Sequence, residues 1–565
     1  MKNTALFLIL RRMRTPLLVL IAAYAISILG LVLIPGTEVD GNPQHLTFFH
    51  AFYIMTYTAT TTGFGELPVP FNDAQRLWVT ISLYISVVAW LYAIGALITM
   101  LRDPALRQLI GQNRFAAQVR RLNEPFYIVC GYGDTGSVVV HSMIDCNLGA
   151  VAIDKNQDRL NELMLESLPV HVPFLCGDAS LPSNLTMAGL NHPYCRGVLA
   201  LCEDDLANLR IAITCRLLSP GLAVICRAQS HDTEANMDSF GTDAVINPFD
   251  TFADRLALAL HSPDMHLLYE WLTGIPGAPL PERLHPPHGT WVVCGFGRFG
   301  KAVQRYLEFE GVPMVIVESD PAKTKAPKNV IIGRGTEAVT LRAAHIEKAV
   351  GIVAGTDDDA NNLSIIVTAR ELNPKLFLVA RQNDNENDAV FQSARLDLVM
   401  QRARAISRRI LALITAPLLT DFLRLMRHQK TEWAKELIEY MRPLLGGVTP
   451  VLWTVGMTEE EAPAMEKALQ SGAILTVSLL LREPHDREQR LQAMALMMKR
   501  GKEEHLLPED DMELKPGDRI LFCGREGMAA HQRRTLMNPN VIHYLVSGES
   551  LPDGTIWRWL AHRGG

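Results

Sequence analysis

The sequence predicts a helical membrane domain, followed by two α/β domains with parallel sheets and a small β-rich lobe. Three observations support this fold class. Two long uncharged runs lie in the first hundred residues, a strand, glycine turn, helix and strand pattern occurs twice farther on, and apolar strand-like runs recur near the C-terminal end. The chain has 565 residues, enough for roughly three or four units of ordinary size.

Composition narrows the class of protein. The hydrophobic content is 48% and the mean hydropathy is +0.10, so a small membrane part accompanies a large water-exposed part. The net charge of −6 and the pI near 6.3 argue against a role in binding nucleic acid. None of the nine cysteines forms a C-x-x-C pair, so zinc and thioredoxin-like chemistry find no support. Cys130, Cys226 and Cys294 fall in apolar runs and are expected in the core.

The two uncharged runs have the length of membrane spans. Residues 77–101 can cross a bilayer with some tilt, and residues 17–34 are near the lower limit. Arginines precede the first run, as in a signal peptide, but the run ends at Pro35 and Gly36 without a small-x-small cleavage site. We expect a retained helix. Basic residues lie outside the two runs and mostly acidic residues between them, which predicts both ends in the cytoplasm at the inner (plasma) membrane.

The segment between the spans follows an apolar and aromatic stretch at residues 46–57. Irregular backbone survives at membrane depth only where protein buries it or where it lines an aqueous path. Glycines allow the alternating backbone that would aim carbonyl groups at such a path, and a surface loop rich in Thr and Gly is the rival interpretation. The two spans of one chain cannot enclose a path, whereas four such chains around an axis can, so a pore formed by this segment would be a homotetramer. The segment reads Thr61, Thr62, Gly63, Phe64, Gly65 and Glu66.

This segment resembles the potassium-channel signature T-V-G-Y-G-D, with departures at Thr62, Phe64 and Glu66. The resemblance implies that backbone carbonyls and the Thr61 hydroxyl replace the water around potassium ions. Gly95 interrupts the second span. Resemblance to two-span channels makes Gly95 a candidate gating hinge, and a close-packing glycine is the equally open alternative.

The cytoplasmic part contains a dinucleotide-binding fingerprint twice. An apolar strand leads into a glycine turn and a helix, and a second strand ends in an acid. Glycines let the turn approach a diphosphate, the helix N-terminus favours its charge, and the acid holds ribose hydroxyls. The second copy begins 164 residues after the first. The first copy has Gly131, Gly133, Gly136 and Asp154, and the second has Gly295, Gly297, Arg298, Phe299, Gly300 and Glu318.

A pore followed by this repeat resembles RCK (regulator of potassium conductance) channels, which are related to TrkA-N ligand-binding domains. The resemblance implies a ring of eight such domains beneath a tetrameric pore in the lipid bilayer. It also implies that residues 474–481 and 514–522 are strands of a TrkA-C-like lobe. The expected domains are an ion-channel pore domain (1–101), a linker helix (102–124), a first RCK domain (125–287), a second RCK domain (288–428) and a C-terminal lobe (429–565).

The ligands follow from the same residues. Asp154 and Glu318 suit an unphosphorylated ribose, so NAD or ADP is the expected nucleotide. Arg298 could meet a diphosphate, whereas Asp134 at the matching position would repel it, and we therefore expect the second loop to be the better site.

Calcium is a further possible ligand. Carboxylates cluster at Glu203, Asp204 and Asp205 and again at residues 357–359. Helix capping is the favoured interpretation of both clusters. Where calcium-gated relatives carry a carboxylate, this chain has Gln229 and Gln382.

Two other functions compete with a ligand-controlled potassium channel. A dehydrogenase would need a catalytic acid or base beside the nicotinamide, and we find no His, Lys or Tyr set that the sequence places there, so no enzymatic activity is expected. A membrane-tethered, dinucleotide-binding regulator of potassium transport is the alternative. Such regulators usually lack a filter of their own, and this chain carries one.

Overall fold

The computed structural model describes residues 2–39, 42–43, 45–65, 70–102 and 104–550. The chain divides into two compact units, Met1–Arg121 and Leu122–Gly565.

The first unit is helical. Met13–Leu33 and Asp73–Met100 are long and apolar enough to cross a membrane, and most of their side chains are exposed in the single chain. They agree with the two predicted spans, and the first begins four residues earlier than expected. The elements are α1 (Lys2–Leu33), β1 (Glu38–Val39), β2 (Asn42–Pro43), α2 (Phe48–Ala59), α3 (Asp73–Leu101) and α4 (Pro104–Val119).

Helices α1 and α3 cross where a glycine meets a tryptophan. A Cβ atom added to Gly30 would lie 2.1 Å from the Trp78 ring, so only glycine fits at this crossing. The Trp78 indole donates to the Ser27 carbonyl across 2.9 Å, which fixes the register of the two helices. Helix α2 starts at the cap Thr47 and buries Ile54, and its C-terminal end delivers the chain to residues 60–65.

The second unit contains two doubly wound sheets, as predicted. The first has six parallel strands in the order β5-β4-β3-β6-β7-β8. Its strands are β3 (Phe126–Cys130), β4 (Gly149–Asp154), β5 (Phe174–Cys176), β6 (Cys195–Ala200), β7 (Ala223–Arg227) and β8 (Ala244–Ile246). The helices are α5 (Asp134–Asp145), α6 (Gln157–Leu165), α7 (Pro182–Met187), α8 (Asp205–Leu218), α9 (His231–Ser239), α10 (Pro248–His261) and α11 (Pro263–Thr273).

The second sheet repeats this topology in the order β11-β10-β9-β12-β13-β14. Its strands are β9 (Trp291–Cys294), β10 (Met314–Glu318), β11 (Ile331–Ile332), β12 (Gly351–Ala354), β13 (Phe377–Gln382) and β14 (Leu398–Gln401). The helices are α12 (Arg298–Phe309), α13 (Pro321–Thr324), α14 (Ala338–Ala343), α15 (Asp359–Leu372), α16 (Asp388–Ser393), α17 (Arg402–Thr415) and α18 (Leu418–Met426), with 3-10 turns at Ile346–Lys348 and Asn385–Asn387.

The two sheets exchange helices. Helix α10 follows the first sheet but packs on α12 of the second, where Phe252 and Phe299 lie 5.6 Å apart between ring centroids. Helix α17 follows the second sheet but packs on α5 of the first, and Ile406 joins that core. The Ser407 hydroxyl hydrogen-bonds that of Ser142 across 3.2 Å. Each domain is therefore completed by a helix from the other, which the sequence did not predict.

The C-terminal lobe is built on an antiparallel sheet of order β15-β20-β18-β19. Strand β20 confirms the end of the predicted strand at residues 514–522, but it begins only at Arg519. The predicted strand at residues 474–481 is wrong, because Val477–Leu480 forms a helical turn with Val477 and Leu480 buried. A short, continuously apolar run does not distinguish a strand from a buried helix.

The elements of this lobe are α19 (Thr431–Leu445), β15 (Val451–Gly456), α20 (Pro463–Gln470), α21 (Val477–Leu480), β16 (Arg482–Glu483), β17 (Asp486–Arg490), β18 (Ala493–Arg500), β19 (Glu503–Leu506), β20 (Arg519–Gly524), α22 (Met528–Met537) and α23 (Pro539–Ser547).

Candidate functional site

The segment after α2 has a backbone that alternates in hand. Thr61, Gly63 and Gly65 have φ of 61°, 66° and 71°, whereas the intervening Thr62 and Phe64 have negative φ. Such an alternation lets successive carbonyl groups face the same side of the chain. All five residues are exposed, so this row of carbonyls is not covered by the rest of the chain.

Thr61 is the strained member of the segment. A β-branched residue at positive φ is uncommon, and the conformation costs about 1–2 kcal/mol. The end of α2 holds it, because the Tyr57 carbonyl accepts from the amides of Thr62 and Gly63 at 2.9 and 3.2 Å. Strain maintained in this way points to function. Glu66, the last residue of the predicted signature, lies outside the described residues.

Gly95 lies within the continuous helix α3. A Cβ atom added there would meet nothing within 4 Å, so the described chain provides no close-packing contact that requires glycine. The Thr99 hydroxyl donates to the Gly95 carbonyl across 2.8 Å, a bond type that often accompanies helix bending. The hinge stays a prediction.

The first glycine loop joins β3 to α5. Gly131 has φ of 100°, and a Cβ atom on Gly136 would lie 1.9 Å from the Gly131 carbonyl oxygen. Only glycine therefore lets the helix start this close to the strand. The Asp154 carboxylate accepts from the amides of Tyr132 (2.6 Å) and Asn156 (2.7 Å), which ties the loop to the end of β4.

A cavity of about 310 Å³ opens beside this first loop. Gly131, Gly133 and Asp154 line it, as the fingerprint predicts. Sequence reasoning missed its basic residues, of which Arg159 is signalled only by lying five residues after the acid. Arg402 comes from the second repeat, and no local pattern could assign it here. The basic side chains of the cavity are Lys155, Arg159, Arg227 and Arg402, and the acidic ones are Asp134, Asp154, Glu203 and Asp204.

The second glycine loop reproduces the first. A Cβ atom on Gly300 would lie 2.0 Å from the Gly295 carbonyl oxygen. The Glu318 carboxylate accepts from the amides of Phe296 (2.6 Å) and Asp320 (2.9 Å). Gly297 caps α12, and Phe299 is buried beneath the loop.

Arg298 has a different neighbour from the one expected. Its guanidinium carbon lies 5.6 Å from the ring centroid of Phe249, which belongs to the exchanged helix α10. Arg381 approaches the same ring at 5.0 Å and pairs with Asp357 at 2.7 Å. The cavity described above lies at the first loop and not at the second, which the sequence ranked higher.

The three candidate metal ligands face different partners. Asp204 caps α8 by accepting from the Leu206 amide (3.0 Å), and Asp205 accepts from the Gln229 amide (2.9 Å). Glu203 lies 3.5 Å from Arg159. Of the three, Asp204 alone caps the helix that follows, as the capping interpretation expects.

Another cluster of ligand-type side chains occurs at His231, Glu234 and Asp250, whose ligand atoms lie within 4.8 Å of one another. Arg305 donates to the His231 ring (2.8 Å) and to the Asp250 carboxylate. A guanidinium therefore already supplies the positive charge that a metal ion would bring.

Comparison with known families agrees with both halves of this description. Residues 16–103 match the ion channel family, and residues 127–248 and 291–402 each match the TrkA-N domain. The two TrkA-N matches end where the exchanged helices α10 and α17 begin.

Two of the similar proteins are named as potassium channels. Potassium channel protein 1 of Methanocaldococcus jannaschii is 26% identical over 218 residues, which cover 39% of this chain and 64% of that protein. Probable potassium channel protein 2 of the same organism is 25% identical over 232 residues, covering 41% of this chain and 62% of that protein. The chain thus spans slightly less than two thirds of either relative.

A solved structure of the GsuK channel bound to NAD aligns with 94% of this chain and 99% of its own, at 16% identity and a TM-score of 0.46. Two apolar helices lie in the matched ion-channel region, apart from the first three residues of Met13–Leu33, so the protein is a membrane protein. The chain therefore matches the ion channel family once and the TrkA-N domain twice.

Proposed function

We propose that this protein is a potassium channel whose opening is controlled by a nucleotide bound to its TrkA-N domains. One observation carries the pore assignment, namely the alternating backbone of Thr61, Gly63 and Gly65 within the region that matches ion channels. The two potassium channel proteins similar to this chain support the choice of ion.

The pore would be completed by three further copies of the chain. A selectivity filter needs rings of carbonyl groups, and one chain supplies one column of them. Residues 61–65 are exposed in the single chain, as a column that faces a central axis would be. The homotetramer would lie in the plasma membrane, with both chain ends and the TrkA-N domains in the cytoplasm, as the charge pattern predicts.

The regulatory nucleotide would occupy the cavity at the first glycine loop. Gly131 and Gly133 leave room for a diphosphate at the N-terminus of α5, and Asp154 keeps acceptor capacity for ribose hydroxyls. NAD or ADP fits this set. Glu318 and Arg298 would form a second nucleotide site at the other loop, with a smaller share in control. The proposal does not include calcium, because Glu203, Asp204 and Asp205 each bind a different partner.

Control follows from unequal binding. A nucleotide moves the gate only if it binds one state of the channel more tightly than the other. Coupling of about 1–3 kcal/mol per site, summed over four chains, would shift the gate from mostly one state to mostly the other. Residues 102–124 join the units in sequence, and bending of α3 near Gly95 would open or close the pore.

The test is ion flux from liposomes that contain the purified full-length chain. We expect potassium to pass far better than sodium and barium to block the flux. Gly63→Ala should abolish selective flux, because alanine at φ of 66° is strained. Gly221→Ala is the matched control, since an added Cβ meets nothing there and φ is not positive. Equal permeation of both ions would contradict selectivity, and no flux at all would favour a regulator of potassium transport.

A further inference from the structure

Four arginines come together where the two TrkA-N domains meet. Arg227 ends β7 of the first sheet, and Arg381 lies at the matching place in β13 of the second. Arg402 starts α17, and Arg298 starts α12. Arg227 and Arg402 line one cavity, and Arg298 and Arg381 both approach the ring of Phe249. Burial, and then the charges of Arg402 and Arg298, lower the pKa values of Arg227 and Arg381.

Arg227 is the least satisfied member of this group, since two of its buried nitrogen atoms lack a hydrogen-bond partner among the described residues, against one in Arg381. The Arg227 side chain is almost completely buried, at 3% exposure, and it lines the cavity of the first loop. Its Nε and Nη2 atoms have no hydrogen-bond partner among the described residues. Burial is the main cause that lowers the pKa of Arg227, to about 10, and Arg402 adds to it. The group therefore remains charged at neutral pH, and a buried unpaired charge is costly.

The nearby acids leave Arg227 without an ion pair. Glu203 and Asp205 act on Arg227 in the opposite sense, towards a higher pKa. Glu203 is paired with Arg159, and the Asp205 Oδ2 atom accepts from the backbone amides of Gln229 and Ser230. The contrast with the other repeat is direct, because Arg381 pairs with Asp357 at 2.7 Å.

Arg402 approaches the same cavity from the other domain. It is the first residue of the 14-residue helix α17, and within the described part of the chain its Nη2 atom donates only to the Asn383 carbonyl, at 3.4 Å. A helix N-terminus adds positive potential to that of the two guanidinium groups. Arg227 and Arg402 thus offer one anionic group a site with donors from both repeats.

We propose that Arg227 and Arg402 hold the phosphate farthest from the adenosine of a nucleotide in the first cavity. The ligand would then contact both TrkA-N domains. This inference rests on the proposed function, in which Asp154 holds the ribose and the glycine loop approaches the diphosphate. Arg402 leads into the helix that packs on α5, so the phosphate would tie the exchanged helix to the loop that starts α5. The site would favour nucleoside diphosphates and dinucleotides over AMP and adenosine.

The test is calorimetric titration of the purified full-length protein with adenosine, AMP, ADP, NAD and inorganic phosphate. A charge-assisted hydrogen bond is worth about 10- to 100-fold in affinity. Arg227→Gln and Arg402→Gln should therefore each weaken ADP and NAD by about that factor and leave adenosine unchanged. Arg404→Gln is the matched control on the same helix, since Arg404 is exposed and pairs with Asp388, and ADP binding should not change.

The possible outcomes separate the two proposals. Unchanged ADP affinity in both variants, with adenosine still bound, would overturn the phosphate site and leave the nucleotide site standing. Failure of every nucleotide to bind the parent protein would overturn both. Inorganic phosphate that binds through Arg227 without competing with ADP would mark a separate small-anion site and overturn the shared ligand. Arg227→Lys keeps the positive charge but lacks the planar guanidinium group, so its ADP affinity should lie between those of the parent and Arg227→Gln. This variant also serves as the test if Arg227→Gln folds poorly.

Discussion

A methyl group added at Gly136 or at Gly300 would lie 1.9 or 2.0 Å from a carbonyl oxygen of its own loop. In both repeats the acid at the end of the second strand accepts the loop amide at 2.6 Å. The charged residues around these loops differ. Arg227 is unpaired where Arg381 has Asp357, and Asp134 stands where the second loop has Arg298. The same steric requirements account for the similar backbones, whereas the side chains at the mouths of the loops differ in charge.

The exchanged helices meet at Glu270, an acid whose side chain is only 12% exposed. Glu270 on α11 accepts from Arg255 on α10 and from Arg408 on α17, the latter at 2.8 Å. Burial lowers the pKa of Arg255 to about 10. The two repeats can therefore be compared in three respects. Their glycine loops have the same backbone, they share a junction around Glu270, and the charged side chains at their loops differ. Each respect can be tested separately.

Glu270→Gln should have the largest effect, because it removes the charge that compensates Arg255 and Arg408. Breaking a buried ion pair costs about 3–5 kcal/mol in free energy of unfolding. Denaturant unfolding of the full-length protein measures this. The control is Glu347→Gln, whose partner Arg342 is exposed, and it should cost about 0.5 kcal/mol or less. Equal losses in the two variants would show that the junction does not join the repeats.

Gly136→Ala and Gly300→Ala should each lower the free energy of unfolding by about 2–3 kcal/mol, because the new methyl group overlaps a backbone oxygen that cannot move freely. Gly297→Ala is the control within the same loop, since nothing lies within 4 Å of its added Cβ. The same unfolding titration applies. A large loss for one repeat and none for the other would break the claim of a shared backbone.

Acid should weaken the packing of helix α11 through His266, whose ring nitrogens have no hydrogen-bond partner among the described residues and whose Nε2 atom lies 3.9 Å from the Glu270 carboxylate. Burial, with Arg255 nearby, lowers the pKa of His266 to about 3. The unfolded chain takes up a proton below about pH 6.5 and the folded chain does not, so stability falls as pH drops from about 6.5 towards 3, by about 1 kcal/mol per pH unit.

His266→Leu removes the titrating ring and loses no hydrogen bond. The unfolding midpoint of this variant, measured between pH 7 and pH 5, should depend less on pH than that of the parent. Parallel pH profiles would contradict the assignment. Thr420, three residues after Pro417 as His266 is after Pro263, cannot titrate, so the second repeat should lack this dependence.

The smallest expected effect is that of Asp357→Asn, which removes the charge that compensates Arg381 and so makes the second repeat resemble the first. Asp357 is 88% exposed but Arg381 is almost completely buried, and the asparagine oxygen can still accept its hydrogen bond, so the loss of stability should be about 1 kcal/mol. Removing one negative charge near the arginine group should tighten ADP binding by about 2- to 5-fold in calorimetry. Weaker ADP binding would show that Asp357 orients Arg381 for the ligand instead of neutralising it.

The sequence predicted what is encoded locally. Glycines at fixed spacing after a strand, such as Gly131 and Gly136, indicate a tight turn into a helix. An uncharged run as long as residues 77–101 indicates a membrane-spanning helix. The sequence could not predict the exchanged helices or the place of Arg402, because these depend on contacts between residues far apart in the chain. The wrong strand at residues 474–481 has a different cause, since an apolar run without alternation fits a buried helical turn equally well.

The most direct test of nucleotide control at the first loop is the open probability of the full-length protein in planar bilayers. ADP is added on the side of the TrkA-N domains to the parent, to Asp154→Ala and to Glu318→Ala. We predict that the parent responds to ADP, that Asp154→Ala conducts potassium selectively without responding, and that Glu318→Ala keeps most of the response. A response lost in Glu318→Ala and kept in Asp154→Ala would contradict the account and place control at the second loop.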